Sequence, residues 1–225
     1  MLSRITKRVD KQPYVDARKQ GLINNWKSSY DFSDRVIKAF SDVERADFIP
    51  GCCAGDPYED YPLPIPAGQT ISQPTTVVIM THALDVKPGQ KVMEIGAGSG
   101  YQAAILSHLV GRKGRVWSTE IIGELAGLAR DNLRKSAITN VSVLRCDGSV
   151  GYAKNAPFDR IIVTAACPGI PKQLLEQLSE GGILVAPVGS GPQKMIKMTK
   201  KKGRIITESL GCFRFVLLRG KYGYP

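Results

Sequence analysis

Three glycines at alternate positions, Gly96, Gly98 and Gly100, follow a short apolar run that contains Glu94. A helical pattern of apolar residues, 103–110, begins almost directly after them. Glycine allows a tight turn and lets a ligand approach backbone atoms that a Cβ would cover. An apolar strand that runs into such a turn and then into a helix is typical of the ligand-binding edge of an open α/β sheet. We therefore predict a cofactor site here, with Glu94 placed to meet a cationic group.

The spacing of these glycines argues against a dinucleotide. The dinucleotide pattern G-x-G-x-x-G needs a glycine at its sixth position, so that strand and helix pack closely and a pyrophosphate reaches the helix N-terminus. Counted from Gly96, that position is Tyr101, which is bulky. The pattern is instead acidic-x-G-x-G-x-G, which favours a ligand without a pyrophosphate.

Acidic residues also follow the next two apolar runs. Glu120 ends the run 115–119, and Asp147–Gly148 follows the run 141–145. A carboxylate at a strand end accepts hydrogen bonds from ribose hydroxyls well, and an acid beside a glycine suits an adenine. Acids at three successive strand ends fit S-adenosylmethionine, which has an amine, a sulfonium and a ribose but no phosphate. Taken alone, Glu120 can also cap the following helix, since acids favour helix N-termini.

Length and composition predict one globular enzyme. The chain has 225 residues, of which 43% are hydrophobic. No run approaches the roughly 18 apolar residues of a membrane span, and the first residues lack the apolar core of a signal peptide. Five cysteines show no C-x-x-C spacing, and Cys52 is adjacent to Cys53. We expect reduced thiols, no metal site, no contact with membranes, a cytoplasmic location and a monomer.

The net charge of +11 arises largely from two clusters of basic residues, within 4–19 and 197–204. Such a balance can indicate a nucleic-acid partner. Residues 200–203 lie between two apolar alternations, however, and predict a hairpin turn with a solvated tip. The same field attracts acidic peptides without a dedicated nucleic-acid surface.

Apolar periodicity predicts a single α/β domain, a doubly wound Rossmann-like methyltransferase sheet with helices on both faces. Strands are expected near residues 91–95, 115–119, 141–145, 159–164 and 182–188. Residues 1–65 form an N-terminal helical cover, 66–190 the cofactor-binding core and 191–225 a β-rich C-terminal end. Within the cover, Ser33 can cap a helix, and the proline-rich run 58–66 is extended. Pro74 suits the first turn of a further helix.

Two segments upstream of the glycine turn carry a resemblance to a known family. Residues 58–65 and 68–74 resemble the corresponding segment of the protein-L-isoaspartate O-methyltransferase family, which few other methyltransferases have. Residues 94–101 and 147–149 are similar to its cofactor motifs, and further short stretches between 156 and 189 follow in the family's order. Leu217 stands where the family commonly has proline.

The resemblance implies an enzyme that methylates the free α-carboxylate of L-isoaspartyl residues in damaged proteins and peptides. The ester then collapses to a succinimide, whose hydrolysis partly restores normal aspartate. The cofactor is S-adenosylmethionine, with S-adenosylhomocysteine as product. The resemblance makes Ser72 the active-site serine, in a segment that closes the site over cofactor and substrate. The cofactor-contacting positions that it implies are Gln69, Thr70, Ile71, Glu94, Gly96, Gly98, Gly100, Glu120, Asp147 and Gly148.

This reaction needs no strong base, because an α-carboxyl has a reference pKa of about 3.3–3.7 and is ionised at neutral pH. Ser72 is therefore interpreted as an orienting hydrogen-bond donor and not as a nucleophile. The only histidines, His82 and His108, lie in predicted helices and are interpreted as surface or packing residues. Cys167, beside Pro168, is interpreted as a small buried thiol.

Two other functions remain open. Amino-methylating enzymes that act on nucleic acids carry an N/D-P-P-Y/F-type tetrapeptide after the fourth strand, but residues 165–168 do not match it, and the similar stretch 155–158 precedes that strand. An RNA methyltransferase then rests on charge alone. A domain that binds the cofactor or a partner without turnover is the third possibility. It predicts loss of the closing segment, yet residues 70–72 are present.

Overall fold

The computed structural model describes residues 12–51 and 56–225, with the backbone alone for residues 12–16. The N-terminal part is a cover of helices followed by a small antiparallel hairpin. Its elements are α1 (Gln12–Ser29), α2 (Asp34–Asp42), a 3₁₀ turn (Arg45–Phe48), β1 (Leu63–Ile65), β2 (Gln69–Ile71) and α3 (Pro74–Leu84).

The starts of the two predicted helices in this cover are confirmed, with one difference. Helix α2 begins after Ser33, but the Ser33 side chain makes no capping hydrogen bond. Pro74 occupies the first turn of α3, where a missing N–H costs nothing. The run 58–66 is not extended throughout: residues 57–61 form a turn and bends, and the strand begins only at Leu63.

A seven-stranded sheet forms the centre of the fold. Its elements, with the helices between them, are β3 (Lys91–Ile95), α4 (Tyr101–Val110), β4 (Arg115–Glu120), α5 (Gly123–Lys135), β5 (Val141–Arg145), β6 (Phe158–Val163), α6 (Lys172–Glu176), β7 (Leu178–Val188), β8 (Gln193–Lys201) and β9 (Arg204–Phe213). The order in space is β5-β4-β3-β6-β7-β8-β9. Strands β3, β4, β5, β6 and β7 are parallel, and β8 and β9 extend the sheet as antiparallel strands. The doubly wound architecture is confirmed.

Strands β3 and β5 begin and end where the sequence predicts, whereas β7 begins four residues before the expected residue 182. Its first part includes the exposed Glu180 and Gly181, which mask the apolar pattern. A register shift against β6 between Phe158 and Arg160 accommodates this irregular start. Strand β9 stops at Phe213, and the rest of the β-rich C-terminal end has only isolated β-bridges, at Leu217, Arg219 and Tyr224.

Apolar layers cover both faces of the sheet. One layer joins helices α2 to α5 to the sheet and includes the buried Phe40, Leu84 and Leu106. The other lies under α6 and includes the buried Leu174 and Leu218. Burial of such side chains is the main stabilising term in the fold. Among the described helices none has both the length and the hydropathy that a membrane span requires.

The predicted hairpin at residues 200–203 is confirmed between β8 and β9, but its lysines are not all solvated. The Nζ of Lys200 donates to the carbonyls of Leu175 (3.1 Å) and Leu178 (2.8 Å) at the end of α6. The Lys202 amide donates to a carboxylate oxygen of Glu180. Part of this cluster therefore stabilises the fold. Cys146, Cys167 and Cys212 are free thiols, while Cys52 and Cys53 lie outside the described residues.

Candidate active site

A cavity opens where the order of the strands reverses, beside the carboxyl ends of β3 and β6. Chain order runs outward from β3 to β4 and β5, and then returns to place β6 on the other side of β3. Ligands of open α/β sheets bind at such a point, because the loops that leave the two strands diverge there. The ends of β3, β4 and β6 all contribute residues to the wall.

The glycine turn forms one side of this cavity. Gly96 has φ +96° and Gly98 has φ +53°, a region that residues with a Cβ rarely adopt. A Cβ on Gly96 would lie 2.5 Å from the Oγ1 of Thr164, so only glycine fits between β3 and β6. The amides of Gly96 and Ala97 both donate to the Thr119 carbonyl, at 2.9 and 3.0 Å. The turn is thereby tied to β4.

Glu120 lines the cavity with its carboxylate fixed by two amides. One oxygen accepts from the Gly98 amide and the other from the Ile122 amide, each at 2.9 Å. Helix α5 starts at Gly123 and has Ile122 at its N-cap position. Glu120 therefore serves the loop before the helix, not the N-cap predicted as an alternative. Lone pairs that these amides do not use remain for ligand hydroxyls.

Glu94 and Gly100 lie behind the wall rather than on it. Glu94 is fully buried, and burial raises the pKa of its carboxyl to about 8, although the hydrogen bond from the Ser118 hydroxyl opposes this rise. Its Oε1 has no hydrogen-bond partner among the described residues. Gly100 is the N-cap residue of α4, and a Cβ there would lie 3.2 Å from the Ala129 carbonyl of α5. Direct contact of either residue with a cofactor stays a prediction.

Of the predicted pair Asp147–Gly148, only Gly148 lines the cavity. Asp147 accepts from the amides of Ser149 (2.8 Å) and Lys221 (2.7 Å). Burial alone would raise the pKa of Asp147, but these hydrogen bonds outweigh it and hold the pKa below its ordinary value. A distant segment of the chain thus fixes this carboxylate, and Arg219, two residues before Lys221, reaches the cavity wall.

The segment 69–72 forms the opposite wall, where the sequence predicts a closing element. Gln69, Thr70, Ile71 and Ser72 all line the cavity. A second cavity lies on the far side of this segment, between α3, Tyr30 and residues 212–216. The residues that border both cavities are Thr70, Ser72, Thr164 and Val216. Ser72 therefore lines both cavities.

Sequence reasoning missed Thr164 and residues 216–219 as parts of the site. Thr164 follows β6 directly, and its hydroxyl donates to the Gly96 carbonyl at 2.6 Å. A polar residue at the end of a central strand was a usable signal for it. Residues 216–218 bridge to Ala166 through two backbone hydrogen bonds of 2.8 Å, from the Ala166 amide to Val216 and from the Leu218 amide to Ala166. Nothing local in the sequence predicts this long-range contact.

Among the residues that the structure describes, no nucleophile with an adjacent base occurs at the site. His82, on α3, accepts from the Ser33 amide at 3.3 Å, and His108, on α4, lies 3.9 Å from Asp42 of α2. Cys167 is buried, which raises the pKa of its thiol to about 12 and makes it unreactive. No cluster of three potential metal ligands occurs in the described ranges. The interpretation of both histidines and of Cys167 as non-catalytic agrees with these positions.

The first cavity has the chemistry that S-adenosylmethionine requires. Glu120 offers a fixed acceptor for hydroxyls, and the unpartnered Oε1 of Glu94 is a buried acceptor beneath the glycine turn. Ile122 and Leu125 supply apolar contacts suited to a flat ring. The residues present therefore fit a ligand that combines a cationic amine, a ribose and an aromatic base.

Comparison with known proteins shows which family the chain matches. The family described as protein-L-isoaspartate(D-aspartate) O-methyltransferase (PCMT) matches residues 17–223. The chain is 45% identical to the protein-L-isoaspartate O-methyltransferase of Methanothrix thermoacetophila over 92% of this chain and 97% of that protein. It is 46% identical to that of Methanococcus aeolicus, over 93% of this chain and 96% of that protein.

Solved structures show the same fold. A protein-L-isoaspartate O-methyltransferase superposes with a TM-score of 0.83 at 29% identity, over 91% of this chain and 67% of that chain. A putative Plasmodium falciparum protein of that name, in complex with S-adenosyl-L-homocysteine, gives 0.79 at 26% identity, over 89% and 98%. The sequence match over nearly the whole chain and the cavity at the strand ends lead to one conclusion: the chain belongs to the protein-L-isoaspartate(D-aspartate) O-methyltransferase family.

Proposed function

We propose that this chain transfers a methyl group from S-adenosylmethionine to the free α-carboxylate of L-isoaspartyl residues in proteins and peptides. The ester that forms initiates repair through a succinimide. The observation that carries the proposal is the position of Ser72 on the wall shared by two cavities. A transfer between two bound molecules needs two spaces that meet at one point, and the chain provides them.

The first cavity takes the cofactor, which supplies an electrophilic methyl group when bound. Glu120 receives the ribose hydroxyls, because two amides already hold its carboxylate in place. The full set of cofactor-binding residues that we propose is Gln69, Thr70, Ile71, Glu94, Gly96, Gly98, Gly100, Glu120, Asp147 and Gly148. Glu94 and Asp147 act from behind the wall, Glu94 as a buried acceptor through its unpartnered Oε1 and Asp147 through the Lys221 segment that it holds.

The second cavity takes the peptide. Tyr30, Phe213 and Phe215 give it apolar and aromatic surface, and Arg214 adds a positive charge. Arg214 forms no ion pair with any residue that the structure describes. A free guanidinium favours an anionic substrate, and the net charge of +11 adds a long-range attraction for it.

Ser72 orients the reacting carboxylate and does not attack. The substrate carboxylate is ionised at neutral pH, so no residue has to remove a proton from it. The hydroxyl donates to one carboxylate oxygen and leaves the other facing the cofactor cavity. Ile71, the neighbour of Ser72, is buried and gives the junction one apolar side. Holding two reactants in line lowers a barrier by about 7–11 kcal/mol in favourable systems.

The test compares methyl transfer from labelled S-adenosylmethionine to an isoaspartyl peptide and to the same peptide with normal aspartate. We expect label only on the isoaspartyl peptide. Ser72→Ala should lower the rate by up to about 10²–10³, while the affinity for S-adenosylmethionine stays nearly unchanged. Ser209→Ala, at an exposed position on β9, is the matched control and should keep the wild-type rate.

Two results would contradict this function. Equal labelling of both peptides removes the isoaspartyl specificity, and a methylated Ser72 that passes its label to peptide makes the serine a nucleophile. Methyl transfer to the peptide should also proceed without nucleic acid. The active enzyme should be a monomer, and sedimentation measures its oligomeric state. Salt-sensitive RNA binding together with RNA methylation would favour the other enzyme class.

A further inference from the structure

A completely buried arginine lies directly behind the segment that carries Ser72. Arg45 begins the 3₁₀ turn after α2 and has no exposed surface. Its Nη2 donates to the Ser72 carbonyl at 3.0 Å and to the Tyr61 carbonyl at 3.4 Å. Its Nη1 donates to the Pro57 carbonyl. One guanidinium therefore joins three points of the chain between residues 57 and 72.

The charge of Arg45 is not neutralised by an ion pair within the described residues. No carboxylate there lies within 4.0 Å of its guanidinium. Burial lowers the pKa of Arg45, and the nearby Tyr101, Tyr58 and Asp60 oppose this effect. A buried charge is costly unless hydrogen bonds replace its hydration. Three carbonyls replace part of the hydration of this guanidinium, while its Nε has no hydrogen-bond partner among the described residues.

The other contacts of this segment fix its two ends but not the Ser72 carbonyl. Asp60 accepts from the amide and the hydroxyl of Thr75, at 2.9 and 2.6 Å, at the start of α3. Trp26 of α1 donates to the same hydroxyl at 2.8 Å. Arg45 is thus placed to set the peptide plane of Ser72 itself, and with it the direction in which the Ser72 hydroxyl points.

We propose that Arg45 is a positioning residue for methyl transfer, acting through the Ser72 carbonyl. This inference rests on the function proposed above, because it assumes that Ser72 orients the substrate carboxylate. Arg45 itself lines neither cavity, so it affects the reaction only through Ser72, whose carbonyl it holds. A fork of donors is needed for this task, since lysine reaches fewer acceptors at once.

The experiment uses Arg45→Gln and Arg45→Lys, with Arg160→Gln as the matched control. Arg160 is also an almost fully buried arginine that holds carbonyls, those of Asp85 (3.1 Å) and Asp159 (2.8 Å). It lies on β6 away from the end that reaches the cavity. Measured for each variant are the melting temperature, kcat and KM for an isoaspartyl peptide, and the affinity for S-adenosylmethionine.

We expect Arg45→Gln to lower kcat about ten- to a hundredfold, the effect of a misplacement of about 1 Å at a reacting centre. KM and cofactor affinity should change much less, and Arg45→Lys should recover part of kcat. Arg160→Gln should lower the melting temperature. Its kcat, measured at a temperature where the variant is folded, should equal that of the wild type. If Arg45→Gln does not fold, Arg45→Lys, which keeps the charge, takes its place with a smaller expected loss.

A double-mutant cycle separates positioning from general destabilisation. In the Ser72→Ala background, Arg45→Lys should have little further effect on kcat, because the hydroxyl that it positions is gone. If the losses of kcat in the two single variants add up in the double variant, the positioning role of Arg45 is wrong, and the same holds if kcat is unchanged in a folded Arg45 variant. Neither result contradicts the proposed function. An equal loss of kcat in Arg160→Gln also overturns the role of Arg45. Absence of isoaspartyl methylation by the wild type overturns the proposed function and this inference together.

Discussion

Replacing the buried Glu94 with glutamine should change how the stability of the protein depends on pH. Glu94 lies at the end of β3, fully buried, and burial raises the pKa of its carboxyl from an ordinary 4.5 to about 8. The folded chain therefore keeps a proton that the unfolded chain releases above pH 4.5. The stability that follows from this is fully present below pH 4.5 and is lost as the pH rises to about 8. Glu94→Gln removes the titration and nearly preserves the shape.

The size of the effect follows from the two pKa values. One pH unit corresponds to about 1.4 kcal/mol of difference between the protonation states. Between pH 5 and pH 7 the wild type should therefore lose about 2.5 kcal/mol of unfolding free energy relative to Glu94→Gln. Other titrating groups are common to both proteins, so their contributions cancel in the difference.

Urea unfolding of both proteins without cofactor, at pH 5, 6 and 7, measures this difference. The glutamine side chain can lose stability that does not depend on pH, for instance at its hydrogen bond with the Ser118 hydroxyl. Such a loss shifts the plot of unfolding free energy against pH by a constant and does not change how the difference between the two proteins varies with pH. Parallel curves would refute the reasoning, because they would mean that Glu94 is ionised in the fold at pH 5. If a cationic amine binds above Glu94, the affinity of the wild type for S-adenosylmethionine should also rise with pH, and that of the variant should not.

Three further substitutions test other parts of the site. Glu120→Ala should weaken S-adenosylmethionine binding by about 1–3 kcal/mol, the range for lost hydrogen bonds to a charged group, and unchanged affinity in calorimetric titration would exclude Glu120 from the site. Asp147→Ala leaves the Lys221 amide without its acceptor, so we expect a loss of about 1 kcal/mol of stability, which an unaltered melting temperature would contradict. Leu217→Pro introduces the residue that the family commonly has. The two bonds to Ala166 come from the neighbours of Leu217, so stability should change by less than about 0.5 kcal/mol, and a drop well beyond that in denaturant unfolding would show that its amide is needed.

The central sheet and the cofactor edge were predictable because each rests on a local pattern. Strands β3 and β5 are short segments rich in valine and other apolar residues, and the turn at Gly96 needs a residue that tolerates a positive φ. Glu120 could be placed on the cavity because parallel strands bring their carboxyl ends to one edge. The family was identifiable from motifs in the same regions.

Features that depend on distant contacts could not be predicted. The strands of the β1–β2 hairpin have only three residues each, too few to show an alternation. The hydrogen bond from the Lys221 amide to Asp147 joins residues 74 positions apart in the sequence. The second cavity is lined by Tyr30 together with residues 212–216. The sequence shows an acid at residue 94 but not its burial, because that depends on which residues of β4 pack beside it. These contacts are set by tertiary packing, which local periodicity does not encode.

If the first cavity binds the cofactor and the second the peptide, as proposed, the wall that the two cavities share links their occupancies. Thr70, Ser72, Thr164 and Val216 face both spaces, so the ligand that arrives first restricts the motion of the same four residues that the second must order. The conformational entropy of this wall is then lost only once, and the second ligand binds more tightly than it would to the free protein. Thermodynamic reciprocity requires that each ligand strengthens the other by the same factor. A bound peptide thereby favours retention of S-adenosylmethionine that has not yet transferred its methyl group.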